Sequence, residues 1–226
     1  MSGVRTALYW APHVTDPLHV VGSTWLGRDA ESGAALVQPA VPGVDIVELT
    51  RDARGYGLHA TLKPPFRLAT SYAALRADAL AIAARTAPFA LPPLRLAEHH
   101  GFLALLETTP SADLQALCDA CVRDLDAHRA PPTEAEIARR NPDRMNPAQR
   151  ALTFRWGYPY VFGEWWFHVT LSRRLSTEEM TIVRPALEAH LGGVPAAPRR
   201  VTELCVFTQA GPGAPFLIAE RLPLLG

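Results

Sequence analysis

The sequence His-x-Thr-Leu occurs twice in this chain, at residues 59–62 and at residues 168–171. Each copy lies in a run in which apolar and polar residues alternate, and such alternation is typical of a β-strand with one buried face. Residues i and i+2 of a strand point to the same face, so the histidine and the threonine of each copy share a face. A fold built from two copies of one unit would bring both strands to one cleft. That cleft would contain two imidazoles and two hydroxyls.

The alternation also predicts which further residues face the cleft. Every second residue, counted from the histidine, points the same way: His59, Thr61 and Lys63 in the first copy, and His168, Thr170 and Ser172 in the second. Lys63 is the only lysine of the chain, whereas 21 residues are arginine. The two copies therefore predict a cleft that is charged unevenly, with Lys63 on one side and Ser172 on the other.

The segments that follow the two motifs predict an internal repeat. Each motif is followed by an apolar helical pattern and then by two strand patterns joined by a glycine-containing turn. The repeat units cover residues of about 50–110 and 160–226. We expect a single α+β domain over residues 1–226, with two pseudo-symmetric lobes that face each other across a central cleft. Each lobe is expected to be an antiparallel sheet with helices on its outer face.

Residues of about 130–160 lie between the repeat units and predict an inserted helical segment. Thr133 and Glu136 match a capping box, and Asn146 followed by proline predicts a second helix start. The segment contains five arginines and ends in an aromatic run at residues 156–160. We interpret it as a candidate lid or substrate-specificity element. A solvated helical hairpin that only covers the core is the alternative.

Composition narrows the classes of function. The 226 residues include 22 basic and 22 acidic side chains, so no overall field attracts nucleic acid or an anionic membrane. No apolar run approaches the roughly 18–20 residues of a membrane span, and the first residues do not have the pattern of a signal peptide. Three cysteines do not suggest a disulfide framework. We expect a cytoplasmic protein that does not bind membranes and for which nucleic acid is a disfavoured partner.

Two histidines on opposite sides of one phosphorus atom can divide the work of cleaving a cyclic phosphodiester. One imidazole removes the proton of the attacking water, and the other protonates the departing alkoxide. The threonine hydroxyls can donate hydrogen bonds to the non-bridging phosphate oxygens. This chemistry needs no metal and no other cofactor, so none is expected.

The chain resembles the two-histidine (2H) phosphoesterase superfamily, whose signature is a pair of His-x-Thr/Ser motifs in a two-lobed, RNA-ligase-like fold. It is most similar to the branch of phosphonate-metabolism proteins encoded near carbon–phosphorus lyase genes. The similarity rests on the two motifs and on further segments at residues 7–12, 25–29, 56–66, 101–105 and 155–161.

The resemblance implies roles for the motif residues. His59 and His168 would be the catalytic acid/base pair, and Thr61 and Thr170 would bind the phosphate. It also implies a small phosphorylated sugar or nucleotide as substrate, and for this branch a ribosyl cyclic phosphate. Further candidate substrate contacts share a position near the motifs: Lys63, Tyr56, Arg155, Tyr158 and Ser172.

Three other functional interpretations of the same residues remain open. The pair could process or ligate RNA ends that carry a 2′,3′-cyclic phosphate, although the balanced charge disfavours a polymer. The cleft could belong to a non-catalytic module that binds a cyclic phosphate or a nucleotide. A metal site on His59 and His168 is the least favoured reading, because few further ligands lie near them in sequence.

Overall fold

A computed structural model describes residues 4–226 of the chain. The strands are β1 (Arg5–Trp10), β2 (Ala60–Arg67), β3 (Phe89–Leu91), β4 (Leu94–His99), β5 (Phe102–Glu107), β6 (Val169–Thr170), β7 (Arg199–Val201), β8 (Glu203–Gln209) and β9 (Phe216–Pro223). The helices are α1 (Pro17–Leu26), α2 (Ile46–Tyr56), α3 (Tyr72–Arg85), α4 (Ala112–Asp124), α5 (Glu134–Arg139), α6 (Pro147–Trp156) and α7 (Thr177–Leu191). The chain orders β2-α3-β3-β4-β5 and β6-α7-β7-β8-β9 contain the strand, helix and hairpin expected for each repeat unit, with one short additional strand, β3 or β7, after the helix.

The main sheet has seven strands in the order β4-β5-β6-β2-β1-β8-β9, and neighbouring strands are antiparallel throughout. This arrangement confirms the α+β class with antiparallel strands and helices. The groups β4-β5-β6 and β2-β1-β8-β9 meet at a single residue pair, Ala60 and Val169. The hairpin β4-β5 pairs with the motif strand of the other unit, so β2 and β6 become neighbours at the centre of the sheet.

Two hydrophobic clusters lie on the sheet. The larger one contains Leu8 and Leu62 and includes buried side chains of α3, α4 and α7. The smaller one contains Ala7, Tyr9 and Phe216, next to the start of β2. Burial of this apolar surface is the main favourable contribution to folding. Because Leu8 and Tyr9 belong to different clusters, β1 separates the packed core from the surface on which the motif residues lie.

The segment between the two units forms the helices that its caps predict. The Thr133 and Glu136 capping box is present at the start of α5. The Asn146 side chain accepts a hydrogen bond from the amide of Gln149 at the start of α6, and α6 ends at Gly157 in the left-handed conformation, with φ of 75°. Within residues 4–226, no helix is both long enough and apolar enough to cross a membrane.

Candidate active site

The two motif histidines have the same local geometry. Each lies directly before its strand, β2 for His59 and β6 for His168. His59 Nδ1 is 2.9 Å from the carbonyl oxygen of Gly57, and His168 Nδ1 is 3.1 Å from that of Trp166. A carbonyl oxygen only accepts, so each Nδ1 carries a hydrogen and donates it. In the neutral rings each Nε2 is therefore unprotonated and can accept a proton.

The turn that orients His59 depends on glycine. Gly57 has φ of +82°, a region that side chains disfavour. A Cβ on Gly57 would also lie 2.5 Å from Cβ of Ala30. Gly57 caps the end of α2, and its carbonyl oxygen accepts the hydrogen bond from the imidazole two residues later.

Aromatic rings fix the planes of both imidazoles. The ring of Tyr9 stacks on His59 with centroids 4.0 Å apart, and the ring of Trp166 stacks on His168 at 3.9 Å. On its other face Trp166 contacts His99 of β4, at 4.0 Å between centroids. Each imidazole is thus held by one carbonyl and one aromatic ring, which restricts its rotation.

Burial keeps both imidazoles neutral in the free protein. It lowers the pKa of His59 to about 4, and the nearby charge of His168 acts in the same direction. Burial also lowers the pKa of His168, with His99 contributing. In both cases the carbonyl hydrogen bond opposes the shift but does not cancel it.

Both motif threonines line one cleft. Thr61 Oγ1 lies 3.4 Å from His59 Nε2, and Thr61 and Thr170 open into the cleft together with His59. His168 is not among its lining side chains, but it is close enough for its charge to lower the pKa of His59. The indole of Trp165 donates a hydrogen bond to the carbonyl oxygen of Thr61 at 2.8 Å, which ties the segment before His168 to β2.

The cleft has a volume of about 580 Å³ and a mixed polar and aromatic lining. Tyr56 and Tyr158, predicted as candidate substrate contacts, both line it. The segment predicted as a lid or substrate-specificity element also contributes to the lining, through Arg139, Arg140, Met145 and Tyr160. Three further lining residues were not singled out in the sequence: Arg5, Tyr9 and Asp52. One pattern could have revealed part of this set, because Arg5 and Tyr9 lie four residues apart on one strand and so share a face.

The prediction that Lys63 faces the cleft is wrong. The pairing of β1 with β2 slips between Tyr9–Thr61 and Leu8–Lys63, so β2 contains a bulge that breaks the alternation. Lys63 is only 2% exposed, and its ammonium donates to the carbonyl oxygen of Val122 in α4 at 3.0 Å. The bulge turns Lys63 towards α4, on the opposite side of the sheet from the cleft.

Ser172 and Arg155 also lie away from the cleft. Strand β6 ends at Thr170, so the alternation does not continue, and the buried Ser172 hydroxyl accepts from the amide of Leu103 at 2.9 Å. The guanidinium of Arg155 lies over the ring of Trp156 and donates to Asp126 at 3.1 Å. Both predictions of substrate contact are therefore corrected: Ser172 bonds the neighbouring strand, and Arg155 holds the end of α6.

Within residues 4–226, no group of three or more His, Cys, Asp and Glu side chains is arranged to hold a metal ion. The chemistry that these residues offer is proton transfer by two neutral imidazoles, with hydroxyl groups beside them.

Solved structures that resemble this chain include two that cover all of it at 12% identity. One is a crystal structure of a phosphoesterase, with a TM-score of 0.46. The other is E. coli LigT complexed with 3′-AMP, with a TM-score of 0.43.

Comparison with curated proteins returns longer relatives. One from Janthinobacterium sp. (strain Marseille), named ribose 1,5-bisphosphate phosphokinase PhnN, is 37% identical over 234 residues, which cover 100% of this chain and 52% of the relative. One of the same name from Laribacter hongkongensis (strain HLHK9) is 33% identical over 225 residues, with coverage of 98% and 52%. The chain spans about half the length of these relatives. A family model described as a protein of unknown function, DUF1045, matches residues 61–217, which include both motif threonines and His168. This match covers more than half of the sequence, and the chain belongs to the DUF1045 family.

Proposed function

We propose that this protein is a metal-independent phosphoesterase that opens a small cyclic phosphodiester, with His59 and His168 as its general acid/base pair. The observation that carries the proposal is the matched geometry of the two imidazoles. Each donates from Nδ1 to the carbonyl oxygen two residues earlier, and each is followed two residues later by a threonine that lines the cleft. A binding module would not need two titrating groups held in this way.

In the proposed reaction, water attacks the phosphorus atom of the cyclic ester. One imidazole Nε2 takes the proton of the water as the new P–O bond forms. One ring P–O bond breaks, and the other histidine, protonated beforehand, gives its proton to the departing alkoxide. The product is a phosphate monoester with a free hydroxyl, and the net change is the addition of one water molecule. Thr61 and Thr170 donate hydrogen bonds to the non-bridging oxygens, whose charge is redistributed in the transition state.

The lowered pKa values of His59 and His168 determine at which stage of the reaction the acid gains its proton. Because both imidazoles are neutral in the free protein, the acid must gain its proton with the substrate. The anionic phosphate favours the imidazolium form and raises the pKa of the histidine beside it. Binding and protonation are therefore coupled, and the proposed active form is the complex in which one ring is charged and the other is neutral.

We propose a ribosyl cyclic phosphate as the substrate class, in the breakdown of phosphonates. The names of the longer relatives support this choice, because they refer to a ribose with phosphates on carbons 1 and 5. If a ribosyl 1,2-cyclic phosphate is opened at the bond between phosphorus and O2, the phosphate stays on carbon 1. The part of the relatives that matches this chain would then produce a ribose with a phosphate on carbon 1. Ribose 1,5-bisphosphate, which appears in the names of the relatives, has a phosphate at this position.

The kinase activity in those names is not proposed for this chain. A phosphate-binding loop of the Walker type needs a glycine followed by lysine. The only lysine here is Lys63, which follows leucine and is buried against α4. The phosphokinase activity would belong to the part of the relatives that this chain does not cover.

A substrate panel tests the proposal. Purified protein is incubated with ribose 1,2-cyclic phosphate, a 2′,3′-cyclic nucleotide and an RNA with a cyclic-phosphate end, with and without EDTA, and products are followed by ³¹P NMR. We expect opening of the ribosyl substrate at an unchanged rate in EDTA. Preference for the RNA end would favour end processing instead, with Tyr56 and Tyr160 as stacking surfaces for bases. Loss of all activity in EDTA, with recovery on adding metal, would contradict the metal-independent mechanism.

A further inference from the structure

Three arginines line the cleft without a carboxylate partner. Within the part of the chain that the structure describes, no carboxylate oxygen lies within 4.0 Å of the guanidinium nitrogens of Arg5, Arg139 or Arg140, although all three open into the same cleft as His59. At the neighbouring rim, by contrast, Arg67 is paired with Glu136 at 3.3 Å. Three cations in one cleft repel one another, and an anion that enters the cleft would relieve this repulsion.

Two carboxylates close to these arginines, Glu136 and Asp52, have other partners. Glu136 accepts hydrogen bonds from Arg67 and from the amide of Thr133, at 3.3 and 2.7 Å. Asp52 lines the cleft and lies 3.7 Å from Arg51 on the same helix. The arginine end of the cleft therefore keeps positive charge that the protein does not neutralise.

Arg5 lies away from the reacting end of the cleft. Strand β1 pairs with β8 in regular register from Arg5 to Tyr9, so these two residues share a face. Tyr9 contacts His59, and four residues of strand extend for about 13 Å. The Arg5 side chain is held by Gln209, at 2.7 Å, and its guanidinium lies over the ring of Phe216. Arg5 is thus placed to bind a second group of a substrate whose first phosphate lies at His59.

Arg140 is also held in a fixed orientation. Its guanidinium lies 4.7 Å from the centroid of the Tyr158 ring, inside the cleft. Burial lowers the pKa of Arg140, and the charge of Arg139 adds to this effect, yet an arginine remains protonated at neutral pH. An aromatic surface under a planar cation leaves its N–H groups free to bind a phosphate in the forked geometry that arginine favours.

Tyr9, which lines the cleft, has an unpaired hydroxyl. Tyr9 is fully buried, and its hydroxyl has no hydrogen-bond partner among residues 4–226. Buried hydroxyls are nearly always bonded, so this one calls for a partner that enters the cleft. Burial raises the pKa of Tyr9 well above its ordinary value, so the hydroxyl stays protonated and can donate.

From these observations we infer that the cleft contains a second anion site, formed by Arg5, Arg139 and Arg140, that binds a phosphate monoester on the same substrate molecule. The Tyr9 hydroxyl donates to an oxygen of the sugar between the two phosphates. This inference rests on the proposed function and narrows it to a substrate with two phosphates, of which only the cyclic one reacts.

Kinetics on two substrates that differ only in the second phosphate test the inference. We expect wild-type protein to prefer 5-phosphoribosyl 1,2-cyclic phosphate over ribose 1,2-cyclic phosphate. Arg139→Ala and Arg140→Ala should each lower kcat/KM for the 5-phosphorylated substrate by roughly 10- to 100-fold, mainly through KM, because each removes a charged hydrogen bond. For the substrate that lacks the 5-phosphate, each variant should lower kcat/KM much less than for the 5-phosphorylated substrate. Arg144→Ala is the matched control, since Arg144 is exposed on the same segment and does not line the cleft.

Binding of ribose 5-phosphate, measured by calorimetry on the His59→Asn/His168→Asn double variant, separates the two proposals. Binding that is lost on adding Arg140→Ala supports the second anion site even if no cyclic phosphate is hydrolysed, in which case the proposed function fails alone. Equal hydrolysis of both substrates, unaffected by Arg139→Ala and Arg140→Ala, would overturn the second site and leave the phosphoesterase proposal standing.

Discussion

The Tyr9 ring stacks on the imidazole of His59, with centroids 4.0 Å apart and planes inclined by 28°. These residues come from different strands, β1 and β2, which pair so that Tyr9 lies opposite Thr61. The contact gives Tyr9 two separable tasks: its ring fixes the plane of the imidazole, and its unpaired hydroxyl is available to the substrate.

Tyr9→Phe should separate these tasks. It keeps the ring and removes a buried hydroxyl that has no partner within the described residues, so we expect stability to be unchanged or slightly higher. KM should rise by roughly 2- to 10-fold through the loss of one hydrogen bond to substrate. Tyr9→Leu should lower kcat as well, because the imidazole loses its stacking partner. Thermal unfolding and steady-state kinetics on both variants measure these effects, and a marked loss of stability in Tyr9→Phe would contradict the assignment of a free hydroxyl.

The pKa of His59 predicts a dependence of stability on pH. The pKa is about 4 in the folded protein and about 6.5 in an unfolded chain, so the unfolded state binds more protons between these values. The stabilising contribution of the neutral imidazole is complete above pH 6.5 and is lost as the pH falls towards 4. Between pH 7 and pH 4, the free energy of unfolding of wild type should therefore fall by on the order of 2 kcal/mol more than that of His59→Asn.

Urea unfolding of wild type and His59→Asn at pH 7, 5.5 and 4 measures this difference. Asparagine at this position keeps a side-chain N–H donor for the Gly57 carbonyl and cannot take up a proton. A difference between the two proteins that stays constant across this range would mean that His59 titrates normally.

Lys63→Met tests the bulge in β2. Because the ammonium faces Val122 and Asp126 on the α4 side, its removal should leave kcat/KM within about 3-fold of wild type, which corresponds to about 0.65 kcal/mol in activation free energy. Methionine keeps most of the buried stem, so the variant should fold. A folded Lys63→Met protein without activity would instead indicate that the lysine acts in the cleft.

Asp126 connects the segment that carries the cleft tyrosines and arginines to the rest of the fold. Its carboxylate accepts from Arg129 at 2.7 Å and from Arg155 at 3.1 Å, and it lies 3.7 Å from the ammonium of Lys63. Asp126→Asn would leave three cations without their shared anion, and we expect a loss of about 2 kcal/mol in the free energy of unfolding. KM should rise more than kcat falls, because Tyr158 follows the end of α6. Arg150→Ala, at an exposed position of α6, is the control for the unfolding measurement and for the kinetics.

Local patterns in the sequence predict much of this fold. The order of strand, helix and hairpin, the capping box at Thr133 and the Asn146 cap depend on neighbouring residues, so they can be recognised from short stretches. The shared face of His59 and Thr61 also follows from local alternation, and both residues line the cleft.

The remaining parts of the site depend on pairings between distant residues. The bulge that turns Lys63 away arises where β2 pairs with β1, more than 50 residues earlier in the chain. Arg5 and Tyr9 enter the cleft only because β1 lies between β2 and β8. Arg155 lies outside the cleft because its guanidinium donates to Asp126, a partner that no local pattern identifies.

The kcat of His59→Asn and His168→Asn on a ribosyl cyclic phosphate tests the central claim most directly. Each variant should lower kcat by roughly 10²- to 10⁴-fold, since each removes one proton-transfer group. The kcat of the double variant should be only slightly lower than that of the less active single variant, because the two groups act together. Circular dichroism confirms folding, and His13→Ala, an exposed histidine that does not line this cleft, should retain wild-type kcat. Wild-type kcat in a folded His59→Asn or His168→Asn protein would contradict the paired acid/base mechanism.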